Sequence, residues 1–209
     1  MKILEDISLA IQKGKARDVK QLVMEALEMG ITAQEILDKG LLDGMGKLGV
    51  RFKNNEVYVP EVLIAARALN NGTEILRERL VEEGVKPIGK VVIATVKGDL
   101  HDIGKNLVKM MLEGAGFEVV DLGTDVSEDE IIKAVQQENP QILALSALLT
   151  TTMTNQKVVI DALKEANLRE KVKVMVGGAP VTQAFADEIG ADGYAEDAAT
   201  AAEVARSLI

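Results

Sequence analysis

An α/β fold, in which five parallel strands carry helices on both faces and follow a bundle of four helices, is predicted by this 209-residue sequence. Three observations lead there. Before residue 84, apolar residues recur at spacings of three and four. After residue 89, short β-branched runs alternate with helical stretches, the pattern of βαβ units. Between them lies Gly84-Val85-Lys86-Pro87-Ile88-Gly89, where two glycines flank a proline, so residues 1–84 and 90–209 are expected to form separate domains.

Taken in order, Ile3, Leu4, Ile7, Ala10 and Ile11 place a first helix, and Val19, Leu22, Val23, Ala26 and Leu27 a second. Thr32-Ala33-Gln34-Glu35 has the form of a capping box and opens a third helix carried by Ile36, Leu37, Leu41, Leu42 and Met45. The fourth begins at Pro60, a residue suited to a first helical turn, and runs through Val62, Leu63, Ala66, Leu69 and Leu76. Strands follow at 90–96, 117–121, 141–146, 172–176 and, weakest, 192–194. Helices are expected at 104–115, at 127–138 behind a second capping box (Ser127-Glu128-Asp129-Glu130), and at 153–166, 181–189 and 197–207. This alternation predicts a doubly wound, flavodoxin-like sheet of order 2-1-3-4-5, whose ligand crevice lies between strands 1 and 3.

Composition narrows the function. A formal charge of −9 argues against a nucleic-acid surface, which needs clustered Lys and Arg. The absence of cysteine excludes disulfides, thiolate metal sites, iron–sulfur clusters and cysteine nucleophiles. Residues 1–30 pattern as folded helix rather than signal peptide, and no 18-residue apolar run is present, so a cytoplasmic protein without membrane partners is expected.

His101 is the only histidine, and it stands in Lys97-Gly98-Asp99-Leu100-His101-Asp102-Ile103-Gly104-Lys105-Asn106, directly after the first strand. An imidazole with neighbouring carboxylates at a strand exit is an arrangement that holds a metal and tunes it through the carboxylate. Ser146-Ala147-Leu148-Leu149-Thr150-Thr151-Thr152 follows strand 3, and Gly177-Gly178 follows strand 4, so three unusual loops are expected along one edge of the sheet. Small hydroxyls and glycine suit a long polar ligand inserted between strands. No phosphate loop is present.

Asp99-x-His101-x-x-Gly104, Ser146-x-Leu148 and Gly177-Gly178 together resemble the cobalamin-binding pattern DxHxxG…SxL…GG. The gaps of 41 residues (105 to 145) and 28 residues (149 to 176) fit that family. The helical half resembles the bundle that precedes this module in cobalamin-dependent methionine synthase and in the corrinoid subunits of methanol- and methylamine-type methyltransferases. The resemblance spans nearly the whole chain and points to a small stand-alone corrinoid protein: a helical cap domain over 1–84 and a Rossmann-like cobalamin-binding domain over 90–209.

The resemblance implies cobalamin or a related corrinoid as cofactor, with His101 the lower axial ligand of cobalt in place of the cofactor's own base, the His-on, base-off state. Asp99 would fix the imidazole tautomer, and Thr152 would complete a His–Asp–hydroxyl relay. Ser146, Leu148 and Thr150 would contact the buried nucleotide arm, with Gly177, Gly178 and Ala198 lining its deeper pocket. Gly104 would let a helix begin close to the corrin. Asp102 and Ile103 belong to the same binding segment, although Asp102 also reads as a helix N-terminal acid. In the bundle, Phe52, Val59 and Val62 would cover the reactive face of the corrin, Phe52 and Tyr58 being read in one polar connection, 51–58.

The function so implied is a methyl carrier, cycling between Co(I) and methyl-Co(III), that turns over no substrate alone. Its partners would be a substrate-specific methyltransferase, a second methyltransferase serving an acceptor such as a folate or thiol, and a reductive activase. Two alternatives share the module: the cobalamin subunit of a carbon-skeleton mutase, against which residues 1–84 count, and a cobalamin-dependent sensor, for which no basic helix-turn-helix segment is present. A receiver domain fits less well, since Ser146-Ala147-Leu148 stands where a phosphoacceptor is needed.

Overall fold

The apolar stripes of the first domain become helices in the computed structural model, which describes residues 1–209. These are α1 (Lys2–Gln12), α2 (Ala16–Glu28), α3 (Ala33–Ile36), α4 (Asp43–Lys53) and α5 (Val59–Glu82), with a π-helical segment, Leu37–Leu42, between α3 and α4. The stretch expected as one third helix is thus interrupted. Ile36, Leu41, Met45 and Leu48 are all buried, and the spacing of five between the first two fits one face only where i→i+5 bonding adds a residue to the turn.

The cap of α3 also differs from the expected box. The Glu35 N–H donates to Thr32 Oγ1 at 3.2 Å, but the Glu35 carboxylate accepts from Lys39, and the Glu83 carboxylate beyond α5 takes the Ala33 and Gln34 N–H groups at 2.9 and 3.1 Å. An acid 50 residues away therefore supplies what the sequence-local acid does not. Leu4, Ile7 and Ile11 of α1, Val19 and Val23 of α2, and Val62, Ala65, Leu69 and Leu76 of α5 form the apolar interior of this unit.

The second half contains β1 (Lys90–Thr95), α6 (Ile103–Gly114), β2 (Glu118–Asp121), α7 (Glu128–Glu138), β3 (Ile142–Ser146), α8 (Thr150–Glu165), β4 (Lys173–Gly177), α9 (Gln183–Ile189), β5 (Gly193–Ala195) and α10 (Ala198–Leu208). All strand pairs are parallel, in the order β2-β1-β3-β4-β5. Val92, Ala94, Leu143, Leu145, Val174 and Val176 of the sheet join Ile131, Val135, Val159, Ile160, Leu163 and Ile189 of the helices in one core. The intervening Val91, Ile93, Ile142, Ala144 and Met175 are equally buried, as a sheet enclosed on both faces requires. The Ser127 box forms as expected, with Ser127 N–H donating to Glu130 at 3.0 Å. Two units result, Met1–Pro87 with Gly114–Gly116, and Ile88–Glu113 with Phe117–Ile209. No helix is long and apolar enough to cross a membrane.

Register places the site. Thr95 pairs with Ser146, Ser146 with Gly177, and Gly177 with Ala195, so the carboxyl ends of β1, β3, β4 and β5 finish level. The loops that follow leave from one edge, and the connections from β1 and β3 run to opposite sides of this switch point, the place where folds of this order form a ligand crevice.

Candidate functional site

At the end of β1 the chain reverses in a tight turn, closed by the Asp99 N–H donating to the Val96 carbonyl at 3.2 Å. Gly98 takes the positive φ of 80° that this turn needs at its third position. The turn drops the Asp99 carboxylate into the protein, where it is fully buried. Four donors converge on it. Oδ1 accepts from the His101 backbone N–H at 3.0 Å and lies 2.8 Å from His101 Nδ1; Oδ2 accepts from the Leu148 N–H at 2.8 Å and from the Thr152 hydroxyl at 2.6 Å.

Burial on its own raises the pKa of Asp99. The Thr152 hydroxyl, the Leu148 and His101 N–H groups and the imidazole more than offset it and hold the carboxyl well below the usual carboxylate range. An ionised carboxylate can only accept, so the proton of the neutral imidazole sits on Nδ1 and the lone pair on Nε2. The His101 side chain is 51 % exposed; Leu100 and Ile103, next to it in the chain, are each 73 % exposed, and Leu148 and Leu149, in the loop whose Leu148 N–H bonds Asp99, are 41 and 42 % exposed. An exposed imidazole with its lone pair on Nε2, carried by loops that also expose large apolar residues, is the result.

The chemistry of this donor set fits a corrinoid. No group of three His, Asp or Glu side chains anywhere in the chain could hold a metal ion, so a metal taken by His101 must bring its own equatorial ligands, as a corrin ring does. The exposed Leu100, Ile103, Leu148 and Leu149 on the loops that carry His101 and bond Asp99 suit a large flat macrocycle. A Cβ built on Gly104 meets no protein atom within 4 Å, so the fold itself gives no reason for glycine there.

The other residues singled out from sequence fall as follows. Ser146 closes β3 beside Thr95, and Thr150 is exposed at the start of α8, one turn earlier than predicted, which places Thr152 inside that helix. Gly177 ends β4. Gly178 has φ 129°, and a Cβ there would stand 1.7 Å from the Ala147 carbonyl oxygen, so its glycine is demanded by backbone packing before any ligand is considered. Ala198 is buried at the start of α10. Asp102 and Ile103 are exposed at the start of α6, and Asp102 accepts from the Asn106 side chain at 3.2 Å. In the helical unit Phe52 lies within the last turn of α4, not in the loop, and is partly exposed; Val59 is partly exposed at the start of α5, and Val62 is buried.

Three residues escaped the sequence reading. Thr95, fully buried, donates its hydroxyl to the His101 carbonyl at 2.9 Å. Asp125 accepts from the Gly98 N–H at 2.7 Å and donates its own N–H to the Asp99 carbonyl at 2.9 Å. Gln156, also fully buried, donates from Nε2 to the Leu145 and Gly177 carbonyls at 3.1 Å each, tying β3 to β4 at their ends, while its Oε1 has no partner. Gln156 alone left a signal: it falls on the stripe Thr152, Gln156, Val159, Ile160, Leu163, where a polar residue faces the core.

Sheet order, crevice and single presented imidazole define a cofactor-binding module, and comparison with known proteins identifies it. A family model described as a B12 binding domain matches residues 89–203, and a second of the same description matches 3–77. The dimethylamine corrinoid protein of Methanosarcina barkeri is 45% identical over 209 residues, 99% of this chain and 97% of that one. The methanol:cobalamin methyltransferase complex of M. barkeri superimposes with a TM-score of 0.87 at 36% identity, covering 99% of this chain and 79% of the matched chain. A cobalamin-binding protein of Desulfitobacterium hafniense gives 0.81 at 32% identity, covering 99% and 98%. The chain belongs to the B12-binding corrinoid proteins of methylamine and methanol methyltransferase systems. The cofactor of this family is cobalamin or a related corrinoid.

Proposed function

We propose that this protein is a methyl carrier that holds its corrinoid through Nε2 of His101 and docks in turn on a methylamine- or methanol-specific methyltransferase and on a second methyltransferase serving a folate or thiol acceptor, with a reductive activase restoring it after oxidation. The observation that carries the reading is the buried, ionised Asp99 at 2.8 Å from His101 Nδ1, which leaves Nε2 with its lone pair at the surface of the crevice. When bound, the corrinoid supplies a cobalt centre able to accept a methyl group in its reduced state and to release it to an acceptor.

The chain's own residues do the rest. Asp99 holds the Nδ1 side of the ring and keeps it aimed. The Asp99 carboxylate would compensate any positive charge on the ring, while Thr152 and the Leu148 N–H hold the carboxylate in place. Ser146, Leu148, Thr150, Gly177, Gly178 and Ala198, at the edge where the strands finish level, are the proposed lining for the nucleotide arm, and Asp102, Ile103 and Gly104 the segment beneath the ring.

Loading with hydroxocobalamin tests the assignment. Wild type and His101→Ala should both retain corrinoid, and only the variant should lack the axial-imidazole spectrum. A variant spectrum equal to wild type removes His101 as ligand, and a chain that retains no corrinoid removes the carrier reading. Reduced holoprotein mixed with a methylamine or methanol methyltransferase and its substrate should convert to the methylated cofactor, and failure with all of them overturns the substrate class.

A further inference from the structure

We propose that Thr95 is a positioning residue for the axial ligand, fixing by its hydroxyl the direction in which His101 presents Nε2. The inference rests on His101 being the lower ligand. Residue 101 is gripped at three points: its backbone N–H and its Nδ1 by Asp99 Oδ1, at 3.0 and 2.8 Å, and its carbonyl by Thr95 Oγ1, at 2.9 Å. The first two grips share one oxygen atom. Alone they leave the residue free to pivot about that atom, carrying the ring with it.

The third grip uses a different atom of residue 101 and a different partner. Thr95 is fully buried in the last position of β1, its N–H donates to the Gly123 carbonyl at 2.9 Å and its carbonyl accepts from the Val126 N–H at 3.1 Å, so the backbone that carries the hydroxyl is fixed on both sides. Asp125, bonded to Gly98 and Asp99, steadies the same turn. A buried threonine hydroxyl bonded to a loop carbonyl six residues on is not needed to finish a parallel strand, since the ladder is already satisfied without it. What it defines is the Cα–Cβ direction of the histidine, and hence where Nε2 points when Nδ1 stays on Asp99.

Thr95→Val replaces the hydroxyl by a methyl group of similar size and leaves Asp99, Thr152 and the crevice edge unchanged. Loaded with cobalamin and reduced to Co(II), the variant should retain corrinoid, while the ratio of His-on to His-off cofactor, read from the axial-nitrogen superhyperfine splitting in the EPR spectrum, falls about tenfold, the effect of one lost net hydrogen bond. Thr95→Ser should restore the wild-type ratio. A wild-type ratio in Thr95→Val, or failure of serine to restore it, overturns the proposal. If Thr95→Val does not fold, Thr95→Ala beside Thr95→Ser gives the same comparison: equal ratios in alanine and serine overturn the proposal, and a drop in alanine alone supports it. The His101→Ala protein separates the two levels, because loss of axial nitrogen there with no change in Thr95→Val refutes the positioning role and leaves the ligand assignment standing.

Discussion

Replacing Asp99 by asparagine exchanges one acceptor oxygen for a donor without changing shape, and the geometry allows no comfortable orientation. With the amide nitrogen at the Oδ2 position, the Leu148 N–H at 2.8 Å faces another donor. With the nitrogen at the Oδ1 position, the His101 N–H at 3.0 Å does, and the ring at 2.8 Å is driven to accept at Nδ1 and carry its proton on Nε2. Either orientation strands one backbone donor, at about 1–3 kcal/mol, and weakens the remaining charge-assisted bonds, for a total of about 3–5 kcal/mol. At about 2–4 °C per kcal/mol for a chain of this size, the melting temperature should fall by roughly 10 °C. Urea denaturation of the apoprotein followed by circular dichroism measures the first effect, and nitrogen NMR of the imidazole reads the tautomer. A stability within about 0.5 kcal/mol of wild type would refute the claim that Asp99 organises the loop. The Nδ1–H tautomer should persist only in the orientation that strands Leu148, so a variant that keeps it without loss of stability has no place in the scheme.

Three further expectations use other parts of the structure. Burial raises the pKa of Asp121, but the Lys105 ammonium at 2.8 Å, together with the Gly123 N–H, holds it below the usual range. Its contribution should therefore be fully present above the ordinary carboxyl range, near pH 4, and disappear as pH falls through the depressed value; the stability gap to Asp121→Asn, measured in urea from pH 7 down to 3, should stay level and then narrow, and a gap that widens in acid contradicts the pairing. Gly178→Ala forces a Cβ to within 1.7 Å of the Ala147 oxygen and should cost at least about 3 kcal/mol or prevent folding, as thermal unfolding will show. At Gln156, leucine removes two hydrogen bonds together with an unpartnered oxygen and should cost about 1 kcal/mol, whereas glutamate sets a charge against the Leu145 and Gly177 carbonyls and should cost several times more; equal melting temperatures for the two variants would be incompatible with the burial of that amide.

Periodicity and spacing act locally, and what they determine was legible in the chain by itself. The strand order follows from alternating β-branched runs and helices, because a right-handed crossover permits few other topologies, and Asp99 and His101 lie close enough in sequence to be read as a pair. The π-helical segment was hidden because Ile36-Leu37 and Leu41-Leu42 are apolar doublets that satisfy a regular helix equally well. The Thr152 bond to Asp99, 53 residues away, was expected only through the family resemblance, while the Glu83 cap, the Leu148 bond to Asp99 and the Gln156 link were decided only by the tertiary structure, since their partners lie 50, 49 and 21 residues apart or more locally at 11, across loops whose path no window of sequence contains. Thr95 shows the limit most plainly. In the sequence it is one more β-branched residue ending a strand; only the reversal of the chain at Gly98 brings the His101 carbonyl over its hydroxyl, and with it a reason for that oxygen atom.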